Sequence, residues 1–374
     1  MVTEELEYTP GKMIVHRIER PKYIDAQTQQ IKVASLPNRP VDKSQFGPRM
    51  MTHVIVSKYI DHTPIYRKIE QFKREHDVVI SRSSLGESLH QYLDILTPLY
   101  ERHKNQVLQQ GYIQTDETGY KVQSEDKKGT THLGFLWASR SPVNNLVLFS
   151  YQRSRSGQSM TEHLGGFKGK LQVDGYSAYE KLGSDPAMTL FGCWAHARRK
   201  FEQASKNAQK QADEILKYIR ELYMIERHCK ENKFNHDQRQ EIRLQQSNVI
   251  LNRIKIHLDQ LSTMNILPAS TLGEAIGYTL KRWTQLTNYI QHGEVEIDNN
   301  LLENDIRPIA LGRKNYLFAG SHESAQRAAM IYSFFATCKM HGINPAEWLL
   351  DVLLRIKEHH INKLDELLPQ NWKP

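Results

Sequence analysis

GYIQTDET (111–118), THLGFLWASR (131–140), NLVLFSYQR (145–153), KLQVDGY (170–176) and MTLFGCW (188–194) are the runs that decide the fold. Each is short, rich in β-branched or aromatic residues and bounded by turn-forming residues, as strands are. Between the third and fourth runs lies SGQSMTEHLGGF (156–167), and between the fourth and fifth SAYEKLG (177–183), both read as short helices. The order β-β-β-α-β-α-β predicts an α/β chain built on a mixed sheet with helices on its faces.

Two of these strands carry an aspartate where a bare charge is expensive. Asp116 lies inside the first run and Asp174 ends the fourth. In this order the two strands are able to lie side by side, which brings the carboxylates together. Like charges at close range call for a divalent cation. A few oxygen ligands with open positions suit Mg²⁺ or Mn²⁺, with a substrate phosphate completing the coordination. Glu117 is aimed by strand alternation at the opposite face, and is read as structural or simply solvated.

A third carboxylate is expected from a helix. In NNLLENDIRP (299–308), Asn300, Glu303 and Arg307 fall at i, i+3 and i+7 on one face, and the helix is expected to end before Pro308. Glu303 is the candidate ligand, with Arg307, Arg313 and Lys314 near enough to grip phosphate. A plain Glu303–Arg307 surface pair accounts for the spacing equally well. In CWAHARRK (193–200), Cys193 and His196 make half a zinc site with no second pair to complete it. The alternative is a Cys193 buried at the strand end, with His196, Arg198, Arg199 and Lys200 facing the acidic site or DNA. No phosphate-loop, dinucleotide-binding or serine-nucleophile motif occurs in the chain.

Around this core the pattern changes. Residues 1–45 read as extended, with Pro10, Pro21, Pro37 and Pro40 punctuating short β-prone pieces such as MIVHRIE (13–19). Residues 46–110 turn helical: GPRMMTHVIVSKYID, then PIYRKIEQFKREH with Pro64 in its first turn, then SRSSLGESLHQYLDIL with Leu85, Leu89, Leu93 and Leu96 on one side. A DNA-reading helix-turn-helix beginning near Ser83 and a small packed bundle both fit this spacing. Residues 201–292 are all helical, and 201–260 hold 11 basic and 9 acidic residues, a balance that favours solvated faces over a phosphate track. Residues 293–335 return to the sheet with the Glu303 helix, and 336–374 form a C-terminal helical segment.

The whole chain has 50 Lys+Arg against 42 Asp+Glu, and 12 basic against 8 acidic residues fall in 111–200, so half of the +8 excess surrounds the aspartates. Three cysteines are too few for a disulfide framework, and no signal-peptide or membrane-span pattern is present.

QTDET (114–118), QVDGY (172–176), CWAHARRKF (193–201), NNLLENDIRP (299–308), GRKNYLFAGS (312–321) and ATCKMHGINP (336–345) together resemble the DDE transposases of the insertion sequence 66 family, from about residue 46 to about 358. The resemblance implies an RNase H-like catalytic core whose triad maps onto Asp116, Asp174 and Glu303, at separations of 58 and 129 residues. The second interval is long for such a core, so 201–292 would be an all-helical insertion. It further implies two-metal phosphoryl transfer with two Mg²⁺ ions, Mn²⁺ substituting, and Asp116 bridging both. Arg198, Arg199, Lys200, Arg307, Arg313 and Lys314 would position phosphates, while His196 and Asn300 would orient ligands or strand. Expected partners are DNA, both element ends and target, with a second copy of the chain and small accessory proteins of the element; the expected setting is the bacterial cytoplasm and its nucleoid. Family members usually carry a coiled coil and a cysteine zinc module before the position matching Arg20–Pro40. That stretch has no Cys here, so a shortened member is expected. A silent, DNA-binding derivative and an RNase H-like nuclease or resolvase are the competing readings.

Overall fold

The computed structural model describes residues 2–9, 11–35, 38–127 and 129–373. Pro10 and Pro37 lie outside those residues, as does Lys128 of the loop after the first core strand. The front of the chain is a small exposed antiparallel hairpin, β1 (Lys22–Ile24) and β2 (Ile31–Val33). Asp25 sets its turn, accepting the Gln27 and Thr28 N–H groups at 3.0 and 3.1 Å. MIVHRIE is therefore not the strand: it has no pairing partner, whereas the residues flanking the Asp25 turn have each other.

Four helices follow: α1 (Pro48–Tyr59), α2 (Ile65–His76), α3 (Arg82–Asp94) and α4 (Thr97–Leu108). Pro64 sits just before α2, at its cap rather than in its first turn. Ser81 caps α3, and the Leu85, Leu89 and Leu93 stripe is buried in a core shared with the sheet and the C-terminal helices.

The core strands are β3 (Tyr112–Gln123), β4 (Thr131–Ser141), β5 (Leu146–Gln152), β6 (Gly169–Gln172) and β7 (Met188–Phe191), with α5 (Gly157–Leu164) before β6 and a 3-10 turn, Ser177–Ser184, before β7. Their spatial order is β5-β4-β3-β6-β7, antiparallel among the first three and parallel through β3, β6 and β7. This mixed sheet is the α/β, RNase H-like arrangement that the resemblance implied. Ile113, Trp137 and Leu171 pack on Met160 and Leu164 of α5 on one face. Tyr120, Leu136 and Phe149 turn to the other.

After β7 come α6 (Trp194–Ser205), α7 (Gln209–Glu231), α8 (His236–Ile242), α9 (Asn248–Ser262), α10 (Thr271–Lys281) and α11 (Trp283–Thr287). The chain breaks between α6 and α7 at 206–208, and α6 spans the 200/201 division. Ile215, Ile219, Leu222 and Ile225 of α7 are buried as a core stripe. A π turn at Arg243–Ser247 joins α8 to α9 and carries the buried Arg243 inward.

The chain then returns to the sheet through α12 (Asn300–Tyr316), α13 (His322–Met340) and α14 (Pro345–Arg355). α12 does not stop before Pro308 but runs through it. A helix-interior proline costs about 3 kcal/mol; here both halves of the helix are tied to the sheet. Asp305 pairs with Arg140 of β4 at 2.6 Å in a buried contact, Arg313 donates to the Gly119 carbonyl of β3, and Leu302 and Ile309 are buried. α13 crosses the 335/336 division as one helix, and its Ser333 and Thr337 hydroxyls accept the Phe149 and Val147 N–H groups of β5 at 2.7 and 3.2 Å. Those contacts close that edge of the sheet. Among the described residues no helix is long and apolar enough to cross a membrane.

Candidate active site

The site begins with the register of two parallel strands. Gln114 of β3 pairs with Gln172 of β6, and the Gln114 amide donates to the Gln172 side chain at 2.9 Å in the fully buried core. Two residues further along the same face stand Asp116 and Asp174. β6 ends at Gln172, so the strands no longer pair there and the carboxylates look into the gap between them. Asp174 holds the following turn by accepting the Tyr176 N–H at 2.8 Å, with Gly175 at φ +92°.

Oxygens of Asp116, Glu117 and Asp174 lie within 4.8 Å of one another, the one such acidic, His or Cys group among the described residues. Burial, then Asp174, Glu117 and the more distant Glu303, push the Asp116 carboxyl up to about 7 against a single backbone N–H. Glu117 is not solvated as the alternation allowed: only 1% of its side chain is exposed. It pairs with Arg155 and accepts the Tyr179 hydroxyl at 3.2 Å. Because β6 has already ended, nothing separates the two faces of the sheet at this point, and Glu117 joins the aspartates from the far side. Burial raises its carboxyl, with Arg155 opposing.

Glu303 approaches from the first turn of α12, outside that tight group. Its Oε2 accepts from Arg199 at 3.5 Å, its Oε1 lies 3.9 Å from His196 Nε2, and Oε1 is buried without a hydrogen-bond partner. The His196 imidazole is pushed toward its neutral form by burial, with Asp174 and Glu303 opposing. The alternative surface pair of Glu303 with Arg307 is not formed; Arg307 is exposed and donates to Asn304 at 3.1 Å.

The other basic residues divide. Arg198 pairs with Glu202 at 2.8 Å, Lys200 stands over the Tyr278 ring at 5.3 Å, Arg313 is engaged with Gly119, and Lys314 is exposed. Asn300 is not brought to the carboxylates: Asp298, immediately before the helix, takes its side-chain amide at 2.7 Å and its N–H at 2.9 Å. Cys193 is fully buried, accepts the Asn299 N–H at 3.4 Å, and its thiol is pushed up to about 12 by burial. It belongs to no metal-holding group among the described residues.

Three further residues shape the site, and none stood out in the sequence. Arg155, in the loop before α5, bridges Glu117 and, at 3.9 Å, Asp174, with its guanidinium stacked 3.9 Å from the Tyr176 ring. Tyr278 of α10 donates its hydroxyl to the Asp174 carbonyl at 2.7 Å, and Arg282, just past α10, donates to the Gly175 carbonyl. Loop residues and contacts across a hundred positions leave no periodic signal. The Gly in QVDGY was the one clue, since a Cβ there would meet Arg282 Nε at 2.3 Å.

The donor set fits a hard divalent cation. It offers carboxylate oxygens alone, one of them (Glu303 Oε1) buried and unpartnered, and Asp116 carries a raised pKa that a cation would reverse.

The chain matches the model of the transposase IS66 family over residues 43–327 and that of the IS66 C-terminal element over 333–370. Among curated relatives, the uncharacterized protein y4jD of Sinorhizobium fredii is 32% identical, the alignment covering 99% of this chain and 75% of that protein. The uncharacterized proteins y4hP and y4qI of the same organism are 30% and 31% identical, over all of this chain and 70% and 71% of their own lengths. With its sheet order, its facing aspartates and these matches, the chain belongs to the transposase IS66 family.

Proposed function

We propose that the protein is a DNA transposase that cleaves and joins strands at the ends of its element, with Asp116, Asp174 and Glu303 as the carboxylates that hold divalent metal. Family membership supports the transposase role. The observation that carries the finer reading is the Asp116–Asp174 pair, level on adjacent parallel strands at the point where β6 stops.

Asp116, Asp174 and Glu303 would hold the Mg²⁺ ions, with Mn²⁺ as substitute. When bound, the metal supplies Lewis-acid charge for in-line phosphoryl transfer, activating water or a 3′-hydroxyl and stabilising the leaving oxygen. The protein's own contribution is positioning. Arg199 and His196 orient Glu303, and Tyr278 and Arg282 fix the Asp174 turn. Arg155 balances the surplus negative charge of Glu117. Asn304, Arg307, Leu311 and Lys314 form one exposed stripe along α12, leading away from Glu303, where phosphates of the bound strand would be gripped.

Supercoiled or element-end DNA with Mg²⁺ tests the assignment. Asp116→Asn, Asp174→Asn and Glu303→Gln should each abolish nicking and joining while DNA binding persists. Unchanged strand cleavage in these variants would sink the triad. Cleavage without joined products would instead favour a nuclease.

A further inference from the structure

At the end of α12 remote from Glu303, a pocket of about 320 Å³ opens between α1, α3 and the segment leading into α13. Lys58, Arg82, His90 and Arg327 line it together with hydroxyl and aromatic side chains, and no carboxylate does. Arg327 is neutralised by Asp94 at 2.6 Å, and His90 lies 3.3 Å from the Ser324 hydroxyl. Lys58 and Arg82 have no anionic partner among the described residues. The Lys58 ammonium instead stands over the rings of Tyr316 and Tyr59, at 4.8 and 5.3 Å. Burial pushes its amine down to about 8, the mark of a cation removed from water without a counter-charge.

α13, of 19 residues, starts at this pocket with Ser321 as its cap, so its first-turn N–H groups add to the positive field. Glu323 in that turn is exposed and faces a different hollow. At the mouth, Phe318 is 43% exposed, yet its segment is fixed to β3 by Ala319 N–H to Lys121 carbonyl at 2.9 Å and Gln123 N–H to Ala319 carbonyl at 2.8 Å. A rigidly held, exposed aromatic beside an unmatched ammonium suits a nucleotide unit better than a simple anion.

The pocket also lies on the same face as the acidic site. Tyr120, which lines it, is four residues beyond Asp116 on β3, roughly 13 Å at about 3.3 Å per residue. Tyr316 is 13 residues beyond Glu303 on α12, roughly 20 Å. These spans equal roughly four to six base steps of a duplex at about 3.4 Å each.

We propose that this pocket seats a backbone phosphate of the DNA strand whose reacting bond lies at Asp116 and Asp174, with Lys58 and Arg82 on the phosphate and Phe318 against the adjoining base. The assignment rests on the transposase reading and adds to it a contact outside the acidic site.

The test is a fluorescence-anisotropy titration of a labelled element-end duplex with the full chain across a salt series. Lys58→Gln and Arg82→Gln should each weaken binding several-fold, and the double variant should reduce the slope of log K against log salt by about 0.9, one phosphate contact. Phe318→Ala should weaken binding with no change in slope. Arg82 is exposed, so its variant decides the matter if Lys58→Gln fails to fold. Wild-type affinity and slope in Arg82→Gln and Lys58→Gln would overturn the pocket and leave the transposase reading standing. Retained cleavage in Asp116→Asn alongside a reduced slope in the pocket variants would overturn the triad and keep the pocket. Displacement of the duplex by adenosine monophosphate or inorganic phosphate at constant ionic strength would mark a free-ligand site and overturn the strand assignment.

Discussion

Two of the groups of charged side chains that the molecule buries are built on opposite rules. In the helical region, Glu226 of α7 is gripped by Arg239 and Arg243, Arg239 continues to Glu296, and Arg243 also donates to the carbonyls of Tyr289, His292 and Val295. Each charge there has its match, and the arginines hold the Glu226 carboxyl below its ordinary range despite burial. In the middle of the sheet, where β6 stops beside β3, Asp116, Glu117 and Asp174 crowd together with Arg155 as their paired cation, and Asp116 is driven upward. A matched network fixes a shape; an unmatched one stores a demand for a cation.

The contrast is broken most directly by neutralising each group in turn. Asp116→Asn is expected to lower strand cleavage by roughly three orders of magnitude, about 4 kcal/mol of barrier, while leaving the fold at least as stable. Glu226→Gln should do the reverse, removing about 3–5 kcal/mol of stability because the buried Arg243 loses its counter-charge and Arg239 is left with Glu296 alone. Denaturant unfolding beside a single-turnover cleavage assay separates them. Equal destabilisation by both would erase the distinction.

A subtler comparison uses pH. A carboxyl raised to about 7 in the fold, against about 3.9 in the unfolded chain, keeps more protons in the native state between those values. Without divalent metal, stability should therefore fall as pH rises from about 4 to about 7, then level off. Mg²⁺ should raise the melting temperature more at about pH 8 than at about pH 5, and Asp116→Asn should flatten both effects. The smallest expected change is Tyr278→Phe, about 1 kcal/mol from one hydrogen bond to the Asp174 carbonyl, seen as a several-fold slower reaction with little change in DNA affinity.

What was legible in the sequence follows the same division between regular and irregular structure. Short β-prone runs bounded by turn residues located β3 to β7, and their order allowed the strands of Asp116 and Asp174 to lie side by side, as they do. Glu117 escaped because alternation assigns faces only while a neighbouring strand separates them, and β6 stops too soon. α12 escaped at Pro308 because the local penalty is outweighed by anchors, Arg140 and Gly119, that lie far away in the chain. Arg155, Tyr278 and Arg282 act from a loop and from across the chain, where spacing carries no information.

Tyr278 and Arg282 have one more consequence. The helices after β7 do not merely hang from the sheet; through these two residues they grip the turn that carries Asp174. They work as a calliper, setting how far one aspartate stands from the other. A chain trimmed of that bundle would keep Asp116, Glu117, Asp174 and Glu303 and lose the gauge that spaces the two aspartates.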